Sequence, residues 1–131
     1  MEQEETKRPL EVRLTNVGEV RMGSPYNLCN IELVGKHQIE LAQTGWQDIY
    51  AWTEDSKRLV LIKWNFENND PGFHLFLVNS ENGKTLESSR ILGLPESISI
   101  TGDIVTYRKF LFDRTKLATD CFYVEKYNFE K

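Results

Sequence analysis

"WTEDSKRLVLIKWNFENNDPGFHLFLVNSENGKTLE" runs from Trp52 to Glu87 and decides the fold class. Val60, Ile62, Trp64 and Phe66 fall on one side of an extended segment, with Leu59 and Leu61 on the other. Phe73, Leu75 and Leu77 alternate with His74, Phe76 and Val78 in the next segment. Strands that are apolar on both faces belong in the middle of a sheet, covered above and below. "ENNDPG" makes a wide turn between them, and the Asn82-Gly83 pair signals a hairpin because it accepts the positive φ angles of a type I′ turn.

Period-2 patches and turn residues continue on both sides of this stretch, and no segment shows a 3.6-residue apolar period. Upstream, Val12 with Leu14 and Val20 with Met22 form two short patches separated by Gly18, and Gly23 ends the second. "LCNIELVG" puts Cys29, Ile31 and Leu33 on one side, and a "GKH" turn leads into "QIELA", which fits a short hairpin. Downstream, "GLP" at 93–95 breaks the third strand, and "DIVTYRKFLF" and "CFYVEKYNF" form a hairpin around "DRTKLATD". The expected fold is all-β, an antiparallel meander of hairpins. The domain plan is a flexible lead-in over 1–10 and a single β domain over 11–131.

The aliphatic strands begin near Val20, Val60 and Val105, 40 and then 45 residues apart, within the range of a propeller blade. "WTEDSKRLVLIKW" followed by "FHLFLVNSENGKTLE" resembles a blade of the TolB-like and WD-repeat β-propeller families. Those families commonly show an aromatic, a Ser-Pro-Asp-Gly-Lys-type turn, an aliphatic strand, and a second strand ending in a Thr-Gly-Lys-type turn. Here Thr53-Glu54 stand in place of Ser-Pro, Ser56 stands in place of the turn glycine, and no Gly-His or Trp-Asp dipeptide occurs. Three blades are too few to close a propeller. The resemblance therefore implies a partial or open propeller-like arrangement, with a β-sandwich or barrel as the alternative.

The 131 residues are enough for one real core, and 40% hydrophobic with 27% charged residues is ordinary for a globular chain. The start, "MEQEETKRPLE", has no apolar signal region, and the longest aliphatic run, Leu59 to Ile62, is too short to span a bilayer. A cytoplasmic protein with no membrane contact is expected. Cys29 and Cys121 are far apart and read as buried free thiols.

No catalytic signature is present: no G-x-S-x-G, no P-loop, no G-x-G-x-x-G and no His-Glu-x-x-His. His37 reads as a turn histidine and His74 as a hydrogen-bonded core histidine; acid-base work by His74 with Glu67 or Asp70 is the sharper alternative. "NNDPG" reads as a turn, not a Ca²⁺ loop. No enzyme activity, cofactor or metal is expected.

Residues 40–105 carry 10 acidic against 5 basic side chains, whereas 106–131 carry 6 basic against 4 acidic. An acidic centre disfavours direct nucleic-acid binding and favours a basic protein partner. "GWQDIYAW" gathers Trp46, Tyr50 and Trp52; Trp52 and Trp64 fit core positions, while Trp46, beside Gly45, reads as the exposed aromatic. The candidate partner-binding set is Trp46, Asp48, Glu54, Asp55, Glu67 and Asp70, an aromatic anchor with an acidic rim. In general character the chain is similar to immunity proteins that neutralise bacterial toxins, nucleases above all. Alternatives are a self-associating scaffold subunit, and a small-ligand binder or enzyme.

Overall fold

The computed structural model describes residues 9–19, 26–42, 45–66 and 70–130. The described residues form ten strands: β1 Leu10–Glu19, β2 Asn27–Gly35, β3 Trp46–Trp52, β4 Arg58–Trp64, β5 Gly72–Asn79, β6 Thr85–Glu87, β7 Ile91–Leu92, β8 Leu94–Thr101, β9 Ile104–Phe110 and β10 Phe122–Asn128. The fold is all-β, and every strand pairing is antiparallel. Strands β1 to β6 follow one another across a seven-stranded sheet, with β7 added beside β5, and β8, β9 and β10 make a separate three-stranded sheet. No helix among the described residues is long and apolar enough to cross a membrane.

The centre of the large sheet is what its sequence dictates. Leu59, Val60, Leu61 and Ile62 of β4 are all buried, because each face of this strand meets a different core. One face joins Leu59, Leu61, Trp46 and Val78 to Cys29, Ile31 and Leu33 of β2 and to Leu10. The other joins Val60, Ile62, Phe73, Leu75 and Leu77 to Ile100, Val105 and Tyr107 of the small sheet. Val60, Ile62, Trp64, Leu75, Leu77 and Val105 are all buried. Both cysteines are buried free thiols.

Four local readings need correction. Residues 38–42 form no strand against β2; Ile39 and Leu41 instead lie on the first core as irregular chain. β1 runs without a break through Gly18, absorbing a register shift between Thr15 and Gly18 with Asn16 at φ 54°; Val20, Met22 and Gly23 lie outside the described residues. β8 is an additional strand whose Ile98 and Ile100 alternate with Ser97 and Ser99. Its signal is weak because serine is a poor strand former and Pro95 is tolerated only on such an edge, here at a register shift. The Asn82-Gly83 hairpin is present, but its loop spans Ser80 to Gly83 between paired Asn79 and Lys84, and only Gly83 has positive φ, +76°. A type I′ turn needs positive φ at both central residues, so the turn type differs.

Candidate functional site

The turns at one end of the two sheets are tied into a single surface. Between β3 and β4, Thr53 is buried; its N–H donates to Arg58 O at 2.9 Å and its hydroxyl to Asp55 Oδ1 at 2.7 Å. The Lys57 N–H also donates to Asp55 Oδ1, at 3.0 Å. These two donors, the Thr53 hydroxyl first, hold the Asp55 carboxyl below its ordinary range. Ser56 takes φ +63°, a conformation that favours glycine.

Ser80, buried in the β5–β6 turn, staples that turn to the first one. Its N–H donates to Lys57 O at 2.9 Å and its hydroxyl to Ser56 O at 2.8 Å. Asn79 Oδ1 accepts from the N–H groups of Glu81 and Asn82, and a ring nitrogen of His37 lies 2.7 Å from Glu81 O. The β8–β9 turn joins through Arg58, whose Nε lies 2.7 Å from Asp103 Oδ1 across a half-buried ion pair. Asp103 O accepts from Phe129 N–H at 2.8 Å, which anchors the end of β10.

Two hollows flank the Arg58–Asp103 pair. Thr53, Glu54, Asp55, Thr101 and Gly102 line the first. The second has an apolar floor of Leu77, Leu86 and Phe129, with Lys84, Asp103 and Glu130 at its rim. Leu86 is 54% exposed on the outer strand β6. The turns carry Glu54, Asp55, Glu81, Asp103 and Glu130 against Lys57, Arg58 and Lys84. Arg58 pairs with Asp103, and Lys57 lies 4.0 Å from Glu81, which leaves Glu54, Asp55 and Glu130 against Lys84.

The six residues singled out from sequence do not form one patch. Glu54 and Asp55 lie together at this end. Asp48 lies toward the opposite end of β3, where it accepts from Asn27 Nδ2 at 2.8 Å. Asp70 is exposed just before β5, again at the far end, and its carbonyl accepts from Arg90 Nη2 at 2.7 Å. Glu67 lies outside the described residues. Trp46 is a correction: it is the first residue of β3, 1% exposed, with its indole N–H donating to Ala42 O at 3.0 Å and its ring edge-on to Phe76. Gly45, at φ +102°, makes the bend that the sequence suggests, but the chain is already in the sheet one residue later.

Exposed aromatics lie elsewhere, Phe112, Phe66 and Tyr50 among them. Phe66, expected on the same buried side as Ile62, is past the end of β4, 43% exposed and stacked on Trp64 with centroids 5.3 Å apart. Trp64 itself is held by its indole N–H donating to Asn27 O at 2.9 Å.

His74 is half-buried, with Nδ1 2.8 Å from Ser88 O and Nε2 2.8 Å from Asn65 Nδ2. Since a carbonyl only accepts, the ring carries a proton on Nδ1 and accepts from Asn65 at Nε2. Among the described residues its acidic neighbour is Glu87, at 3.5 Å; Glu67, considered from sequence, lies outside them. Both ring nitrogens are occupied by structural partners. No group of three or more His, Cys, Asp or Glu side chains is placed to hold a metal among the described residues. Burial first, and then the charge of Asp48, pushes the Cys29 thiol up to about 11, which keeps it protonated and unreactive near neutral pH.

Comparison of the chain with protein-family models, curated proteins and solved structures found no match.

Proposed function

We propose that this chain is a protein-binding module that neutralises a basic partner by stoichiometric binding, in the manner of an immunity or inhibitor protein. The observation that carries this reading is the acidic turn surface of Glu54, Asp55 and Glu130, with Glu81 beside Lys57, held by the Ser80 and Arg58–Asp103 ties. Turns locked by buried side chains lose little freedom on binding, so less interaction energy is spent on ordering them. The apolar floor at Leu86 and Phe129 supplies a site for an anchoring side chain, and the carboxylates around it supply steering.

A nuclease toxin domain is the partner class that fits this chemistry, because a site that holds phosphate must be positive and an acidic blocker complements it. The reading places the protein in the cytoplasm, where two buried unpaired thiols are at home. It also takes β3–β6 as a blade-like unit of an open propeller-like arrangement. Support comes from the sequential order of β3 to β6 and from the cores on both faces of that unit.

The test is a titration of the purified chain into a basic nuclease domain recovered with it from the source cell. Activity should fall linearly to an equivalence point at one chain per nuclease. Turnover of a substrate by this chain alone would overturn the reading.

A further inference from the structure

β10 is the outer strand of the three-stranded sheet and its middle is open, with Val124 68% exposed and Glu125 and Lys126 exposed beside it. The register shows which backbone groups face the free edge. Phe129 N–H donates to Asp103 O at 2.8 Å and Leu111 N–H to Cys121 O at 2.9 Å, so odd-numbered residues of β10 exchange hydrogen bonds with β9. Antiparallel ladders alternate, so the N–H and C=O groups of Phe122, Val124 and Lys126 point away from β9. The side chains of these three also lie on the outer face, since Tyr127 and Phe129 pack into the shared core and successive side chains change face.

We infer that this edge pairs with the same edge of a second copy, antiparallel, across a two-fold axis at Val124. In that register Val124 meets Val124, Phe122 meets Lys126, and Tyr123 meets Glu125. The outward backbone groups of Phe122, Val124 and Lys126 are all used, in hydrogen-bonded pairs. An axis at Glu125 would set opposite each other two carboxylates already taken by Lys109 at 3.0 Å and by the Tyr107 hydroxyl, so neither gains a partner, and an axis at Lys126 would oppose two ammonium groups, unfavourable across strands. An axis at Tyr123 would carry Lys126 past the start of the opposing strand and shorten the ladder. A lysine on an edge strand ordinarily discourages pairing. Here it meets the Phe122 ring, which already carries Arg108 at 4.2 Å from its centroid, so the methylene stem of the lysine and not its ammonium would make the contact. The edge is self-complementary in one register, which identifies a second copy of this chain as the occupant. The inference is independent of the acidic turn surface.

Sedimentation equilibrium over a wide concentration range tests it, with hydrogen exchange measured on the same samples. The mass should rise from 15.3 kDa toward twice that value with concentration. The amides of Phe122, Val124 and Lys126 should become protected in parallel, while those of Tyr123 and Glu125 are protected at every concentration. Val124→Pro removes an N–H that faces solvent in the monomer, a position where an edge strand tolerates proline. It should weaken association at least about tenfold by taking out the central bonds. Should that variant fail to fold, the exchange pattern of the parent protein decides. A chain that stays monomeric at its highest attainable concentration overturns the inference. So does association that Val124→Pro leaves intact, or protection that appears on β1 or β6 instead.

Discussion

Replacing Trp46 with alanine separates the role the structure gives this residue from the one its sequence neighbourhood suggests. The ring is 1% exposed and packs with Leu59, Leu61, Cys29 and Val78 in the first core. An indole takes about 200 Å² with it into the core. At about 25 cal/mol per Å² that burial stabilises by about 5 kcal/mol, an upper figure because unfolded chains already hide part of their surface. Losing the Ala42 hydrogen bond adds about 1 kcal/mol, and partial collapse of the cavity returns some of the total. The expected cost is about 3–5 kcal/mol, as for other large core truncations. With a urea slope of about 2 kcal/mol/M, the midpoint should fall by about 1.5–2.5 M. Urea titration followed by far-ultraviolet circular dichroism measures this without relying on tryptophan emission. A midpoint within error of the parent, together with weakened partner binding, would refute the burial argument and restore Trp46 as an exposed anchor.

Three further outcomes follow from the turns. Gly83→Val forces a β-branched residue to φ +76° and brings its Cβ to 2.9 Å from His37 Cβ. It should destabilise by at least about 1–2 kcal/mol, and an unchanged thermal midpoint would contradict the turn geometry. Ser56→Gly relieves a left-handed residue at φ +63°. The relief of about 1–2 kcal/mol exceeds the roughly 0.5–1 kcal/mol of added unfolded-chain freedom. The variant should therefore be slightly more stable in chemical denaturation, and a loss of stability would count against it. Asp55 has a lowered carboxyl pKa in the folded chain. Its contribution is therefore present above the ordinary carboxyl value of about 3.9 and is lost as pH falls through the lower folded value. Asp55→Asn should shrink the acid-induced fall in stability over that window, and parallel curves for parent and variant would contradict the assignment.

The elements legible in the sequence are those whose signal is local. β4 and β5 announce themselves through apolar residues on both sides, and the Asn82-Gly83 turn through its glycine. β8 gives little local signal because its serines and Pro95 suit an outer strand with a wet face and carry little strand propensity of their own. Trp46 reads as exposed in the sequence because Gly45 marks a bend, and nothing in the local pattern says that Ala42, Phe76 and β2 close over the ring. Residues of the acidic surface such as Asp103 and Glu81 were missed for a similar reason. Arg58 meets Asp103, and Ser80 meets Ser56 and Lys57, across sequence separations that only the paired sheets close. Charge counting located an acidic region but not its division between the two ends of β3.

The most direct test of the acidic turn surface is the association rate of the recovered partner over a salt series, compared across charge variants. Glu54, Glu81 and Glu130 are all exposed, so reversing them to lysine together should leave the melting temperature unchanged. If this surface steers a basic partner, the parent's rate falls as salt rises, and the triple variant associates at least about tenfold more slowly at low salt, with a flattened salt dependence. Asp48→Lys with Asp70→Lys, at the other end, should bind like the parent. A triple variant that associates at the parent's rate, or a loss of binding confined to the Asp48 and Asp70 pair, would contradict the account.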